Sequence, residues 1–408
     1  MSNKKIIFLC VLLFHTFFVY IGDLGSVMGR VIQALCLFIF IILFNKNVWL
    51  LFHLKDKKLF RCILCSVIAL FITSVLSASI DMSYLRALNV NPIKDTYTPS
   101  SYTLGIMLSV VVFIYFTFIE YLNRINKTEY LGKVFFKLCL FYCIVADIVS
   151  IVVGVDNNTF IGGGKFGLSY LHLFLVVFYY MRNILTNRRV PNINYYGYIL
   201  YAMIVSIYTE CTTSLIGCVV LFCAFKYKKV FSQSFFKPKI MLCVLMFCAL
   251  FPLLASSLIN NSLVSYIIVD VLGEDLTLTG RTGIFETLGE VLFLRPIWGF
   301  GLGNGHYIMA YLYGTANAQN GVANLILEQG IVGLIAVVVL WLKCMNEVRR
   351  RNNLNTVFSV YAIILVLVVM SMVEITMDTR FVVFTSFLLV KNNANQIVSN
   401  STNLNIKR

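Results

Sequence analysis

The chain has 408 residues, 59% of them apolar and only 12% charged, with a net charge of +15 and a mean hydropathy of +0.85. A soluble domain carries about 25% charged residues, so a water-soluble fold is excluded. The basic residues are scattered over separate loops without aromatic interleaving, which is not the footprint of a nucleic-acid partner.

Crossing a bilayer takes about 20 mainly apolar residues in a helix, and such stretches recur along the whole sequence. Their continuity, without the alternation of a lipid-facing strand, predicts helices and not a barrel. The expected fold is therefore all-α, a single polytopic membrane domain over 1–408 with about twelve transmembrane helices. In chain order the spans fall at 6–21, 31–45, 61–80, 102–122, 138–155, 166–181, 195–209, 211–225, 240–259, 324–342, 356–373 and 379–390. The first is followed by Gly22-Asp23-Leu24-Gly25, which offers no small-residue cleavage pattern, so it reads as a signal anchor. One long loop, 260–323, separates the ninth and tenth spans; connections of this length usually carry function.

Lys and Arg collect in cytoplasmic loops, and here they alternate along the chain. Seven lie on one side: Arg30, Arg86, Lys94, Lys165, Arg281, Arg295 and Arg380, against 33 in all. The excess on the other side predicts cytoplasmic termini and an extracytoplasmic 260–323 loop. Arg86, Lys94 and Arg380 read as interfacial anchors. The twelve cysteines fall in or beside apolar spans and read as small buried hydrophobes, Cys62 and Cys65 included. No P-loop, HExxH, GxSxG or EF-hand pattern occurs, and no metal or cofactor is expected.

Polar features crowd toward the outer side instead. After Thr279-Gly280-Arg281-Thr282-Gly283, the residues Ile284, Phe285, Leu288, Val291 and Leu292 recur at helical spacing, predicting an amphipathic helix on the membrane surface that Pro296 ends and Trp298 anchors. From Gly299 to Gly305 every second residue is glycine, and His306 follows; such a run is either a tight irregular turn or a cradle whose N–H groups hold an anion. Ala316-Asn317-Ala318-Gln319-Asn320-Gly321 then leads into a span that carries Asn324 and Glu328. Polar groups entering an apolar helix are costly and face a cavity or one another, so Glu328 is either a structural carboxylate or a functional one. Asp147, inside the fifth span, is either a pocket residue or a polar tie between helices.

The succession of TGR, an amphipathic helix, RP-W-GFGLG, AQNG and LILEQGIVGL over 279–334 resembles the signature region of the O-antigen ligase and Wzy-type polymerase superfamily. Gly162-Gly163-Gly164-Lys165-Phe166 with Ser169-Tyr170-Leu171-His172, and Thr212-Thr213-Ser214-Leu215-Ile216-Gly217, are more loosely similar to Gram-positive capsule polymerases. The resemblance implies a metal-independent glycosyltransferase of the bacterial cytoplasmic membrane. Its substrates would be undecaprenyl-diphosphate-linked oligosaccharide repeats, joined into a capsular or O-antigen-type polysaccharide. Membrane lipid, a flippase and a chain-length regulator would be its partners. A ligase moving glycan to another acceptor, and a flippase, are the alternatives.

By the same resemblance Arg281, Gln319, Asn320 and Glu328 are the expected catalytic residues. Lys165, Arg295, Gly301, Gly303, His306 and His172 are the expected substrate-binding ones. Arginine meets phosphate oxygens with a planar fork, which puts Arg281 first for the departing diphosphate. The chain departs from the family at Gln319, where many members have histidine as the base. Glutamine does not accept a proton at neutral pH. Either Glu328, His306 or His172 replaces the base, or positioning and leaving-group stabilisation suffice.

Overall fold

The computed structural model describes residues 1–17, 28–54, 56–78, 101–155, 164–188, 192–259, 261–266, 269–270, 281–315 and 317–392. Among these there is no strand, and the chain is an all-α polytopic membrane protein. Each of the twelve expected spans meets a helix: α1 Asn3–Phe17, α2 Met28–Phe44, α3 Lys57–Ala78, α4 Ser101–Arg124, α5 Thr128–Val153, α6 Gly164–Leu185, α7 Asn192–Tyr208, α8 Thr212–Lys226 and α9 Pro238–Ile259. Two helices of the long loop come next, α10 Arg281–Leu294 and α11 Gly305–Tyr313, followed by α12 Gly321–Arg350, α13 Phe358–Met370 and α14 Thr379–Phe387.

Seven helices among the described residues are long and apolar enough to cross a membrane, and α8 and α13 are shorter apolar helices. At 1.5 Å per residue, α14 is only about 14 Å long, less than half a bilayer core. It survives because it is shielded by protein: Phe381 to Phe387 are all buried, and α14 packs against α4, α12 and α13. α13 is buried along nearly its full length, and α6 along most of its own. These three helices form the centre. Around them, α2, α5, α7 and α9 turn Phe38, Ile42, Phe141, Ile151, Ile204 and Leu253 outward. Apolar side chains of that size on an outer surface belong against lipid.

Neighbours in sequence run in opposite directions, and the ends gather accordingly. Residues 104–111 of α4, 166–174 of α6 and 374–380 before and within α14 line one cavity with Thr16 and Gln33. At the opposite end, His53, Asp56, Glu120, Arg124, Arg350, Arg351 and Lys391 meet around a second, charged recess. Among the described residues, the starts of α4, α6 and α14 thus lie at one end, and the basic residues Arg124, Arg350, Arg351 and Lys391 at the other.

The apolar stripe of α10 does not rest on lipid as expected. Phe285, Leu288 and Val291 are buried with Ala255 of α9, Ala323 and Leu327 of α12, and Phe300 and Ile308. What faces outward is the end of the helix and the turn after it, Phe293, Leu294, Ile297 and Trp298.

Candidate functional site

The glycine turn explains its own spacing once α12 is seen to break. Gly330 has φ 67° and ψ −177° inside α12, which interrupts the helical ladder there. The turn supplies the missing partners: Phe300 N–H donates to Leu327 O at 2.7 Å and Gly301 N–H to Glu328 O at 2.8 Å. On the far side of the break Ile331 N–H donates to Pro296 O at 2.8 Å. Two backbones lie so close that a Cβ on Gly330 would stand 2.0 Å from Ile297 O, and one on Gly299 2.6 Å from the carbonyl carbon of Glu328. Non-helical backbone at membrane depth persists only when buried or lining a cavity.

The cradle expected from that turn is occupied by the protein itself. The Glu328 carboxylate lies against that turn, beside Gly303, Gly305 and the Asn324 side chain. Gly301 and Gly303 therefore hold the α12 break and Glu328 in place, and Glu328 is half-buried there.

Arg281 opens α10 and reaches two residues far away in sequence. Its Nε donates to Gln319 Oε1 at 3.0 Å, and an Nη donates to Glu374 Oε1 at 3.2 Å. Both charged side chains are mostly buried, 16% and 11% exposed. Burial pushes the Glu374 carboxyl up from its ordinary range, and the Arg281 guanidinium beside it pulls back. Asn320 is fully buried and caps α12, its Oδ1 accepting from Ala323 N–H at 2.9 Å. Its Nδ2 donates to Cys248 O and Met372 O, at 3.0 and 3.2 Å, tying α9 and the 371–378 connection to the start of α12.

Glu374 also lines the cavity at this end, a space of about 390 Å³ walled by Tyr170, Asp378, Arg380 and Leu302 of the glycine turn, among others. Arg380 pairs with Asp378 at 2.5 Å and lies over the Tyr170 ring at 5.5 Å. Tyr170 is 3% exposed and its hydroxyl is buried without a hydrogen-bond partner. The ammonium of Lys165 sits over Phe166, another lining residue, at 5.5 Å.

Other expected site residues stay apart. His172 is fully buried on α6, where Nε2 meets Asp147 Oδ2 of α5 at 3.3 Å while Nδ1 donates to Leu168 O at 2.9 Å. The Tyr201 hydroxyl of α7 donates to the same carboxylate oxygen. Asp147 is therefore a polar tie among three helices. Arg295 is half-buried, and desolvation pulls its guanidinium down; no carboxylate among the described residues pairs with it. His306 is exposed on α11. Arg86, Lys94, Gly162, Gly163, Thr279 and Gly280 lie outside the described residues.

Sequence reading alone missed Glu374, Asp378 and the true setting of Arg380, and gave Tyr170 no role beyond its place in the Ser169–His172 motif. The available signal was two acids and an arginine within seven residues between two apolar stretches, Glu374 to Arg380. Arg380 reads as an anchor only while the second of those stretches is taken for an ordinary lipid-facing span. No family model and no curated protein matches this chain.

Proposed function

We propose that the protein is a polymerase that joins undecaprenyl-diphosphate-linked oligosaccharide repeats at the outer face of the bacterial cytoplasmic membrane, with both termini cytoplasmic. What supports the reading above all is the convergence of segments distant in sequence. Arg281 and Gln319 meet Glu374, and Glu374 lines a cavity with Tyr170, Asp378, Arg380 and Leu302 of the 299–305 turn at one end of an otherwise apolar helical body. Arg281, Gln319 and the turn lie in the 279–334 stretch that carries the resemblance to the ligase and polymerase superfamily.

The chemistry follows from charge. A sugar hydroxyl attacks the anomeric carbon of a second lipid-linked glycan and the diphosphate departs with the electron pair. A fixed cation near the departing oxygens lowers that barrier without reorganising. Arg281 suits this role, because Gln319 and Glu374 fix its guanidinium, and Glu374 lines the cavity. Lys165 is the second cation on this side. A transporter reading is less well supported, since transporters place their polar sites near the midplane between related halves.

Deletion of the gene followed by sizing of surface glycan separates the readings. A polymerase predicts loss of long chains with single repeats retained at the surface. Unattached long chains would make the protein a ligase, and lipid-linked repeats trapped inside the cell would make it a flippase.

A further inference from the structure

We infer that Glu374 is the base that takes the proton from the acceptor hydroxyl, in a cavity whose Tyr170 and Arg380 walls hold the acceptor sugar. This deepens the polymerase reading and rests on it.

The cavity's charge selects its occupant. Arg281 is paired with Glu374 and Arg380 with Asp378, so the two arginines near the cavity are matched by carboxylates, and Lys165 stands over the Phe166 ring at its edge. A diphosphate would meet those carboxylates, whereas a neutral hydroxylated ring donates to them. Tyr170 adds a buried hydroxyl that lacks a partner, and a buried polar atom of this kind is uncommon unless something completes it. A cavity of about 390 Å³ is within the range of small-molecule sites, about 300–1,000 Å³.

Among the acids and imidazoles of the described site, Glu374 is the one left for the task. Glu328 packs against the glycine turn beside Gly303 and Gly305 and does not line the cavity. Asp378 Oδ1 accepts from Arg380 N–H at 2.8 Å to cap α14, and its Oδ2 holds the Arg380 guanidinium. His172 is enclosed with Asp147 and Tyr201, and His306 is exposed on α11. Glu374 touches Arg281 through Oε1 and lines the cavity as well. The charged and titratable groups facing it are Arg281 of α10, Tyr170 of α6, Cys211 before α8, and Arg380 of α14. Burial outweighs the arginines and leaves the Glu374 carboxyl above its ordinary range, which favours proton acceptance near neutral pH. In the step itself, the acceptor oxygen bonds to the anomeric carbon, that carbon's bond to the diphosphate oxygen breaks, and the acceptor proton passes to Glu374. Gln319, standing where relatives have a histidine base, holds the arginine that positions Glu374.

The test uses the full chain in lipid nanodiscs with undecaprenyl-diphosphate-linked repeats, and follows kcat and KM from about pH 5 to 8. Wild-type kcat is expected to fall toward acid along a limb above the ordinary carboxylate range. Glu374→Gln should lower kcat at least about 100-fold with KM little changed, and its residual rate should lack that limb. Glu374→Asp should lose rate but keep a limb, and Tyr170→Phe should raise KM with kcat largely intact. A Glu374→Gln rate within threefold of wild type, or a reduced rate that keeps the wild-type limb, overturns the inference and leaves Glu374 as a structural partner of Arg281. If Glu374→Gln does not fold, Glu374→Asp decides, and an unchanged kcat there overturns the inference too. Absence of any polymer from the wild-type protein would instead sink the polymerase reading, and this inference with it.

Discussion

At the scale of single residues, the account turns on Arg281 and the two groups that fix it. Removing a preorganised donor of this kind costs about 10²–10³ in rate, or roughly 3–4 kcal/mol. Arg281→Ala should therefore nearly abolish polymer formation in a purified assay, and Arg281→Lys should restore part, because lysine keeps the charge and loses the fork. Near-wild-type turnover by Arg281→Ala, normalised to folded protein, would hand the role to Lys165. The substitution has a second cost, since it leaves Glu374 buried without its cation. Breaking one partner of a buried pair destabilises by about 3–5 kcal/mol. Arg281→Ala combined with Glu374→Gln should then fold better than Arg281→Ala alone, measured as monodisperse protein after mild heating, while remaining inactive. Arg281 and Gln319 were named because both lie in the 279–334 stretch that carries the resemblance. Glu374 was not, because it lies 93 residues beyond Arg281 and only the packing of α10 against the interior brings them together.

Among the elements, hydropathy located the long apolar helices found among the described residues, since apolar runs between polar connections leave few alternatives. It did not reveal that α12 is interrupted. The run Ile326 to Trp341 is apolar enough to look like one continuous span, and the break rests on Gly330 adopting a φ of 67° beside the glycine turn. The alternating glycines were legible as a special turn. That the turn serves α12 and Glu328 was not, because a cradle looks the same in sequence whichever anion fills it. Gly330→Ala should be among the least tolerated changes in the chain. Backbone with φ 67° and ψ −177° is essentially open to glycine alone and costs another residue about 1–3 kcal/mol, and an alanine Cβ would also meet Ile297 O at 2.0 Å. The expected outcome is loss of monodisperse protein in detergent, whereas Gly283→Ala, which meets nothing within 4 Å, should be recovered normally. Equal recovery of the two would contradict the broken-helix geometry. The Asp147, His172 and Tyr201 tie makes a separate prediction. His172→Leu should lower folded yield and leave turnover per folded molecule unchanged, as measured by the same assay; a specific loss of turnover would move His172 back into the site.

For the whole molecule, the account places the cavity end outside the cell and the basic recess inside. Impermeant thiol labelling tests this in a background without reactive cysteines. Cysteine at the exposed His306 should label on intact cells, and cysteine at the exposed Asn352 only after the membrane is opened. The reverse pattern would invert the topology. Composition was sufficient for the membrane class, because it is a property summed over many residues. The enclosed centre of α6, α13 and α14 was less legible, since an apolar helix shielded by protein and one facing lipid have the same composition. That enclosure is what lets short helices end early and a polar cavity open between them. The most direct test of the central claim is reconstitution of the purified chain in proteoliposomes with undecaprenyl-diphosphate-linked repeats as the sole glycan, followed by sizing of the products. The account predicts a ladder of multimers still attached to lipid, growing as single repeats are consumed. Repeats that stay single while moving between leaflets would contradict it.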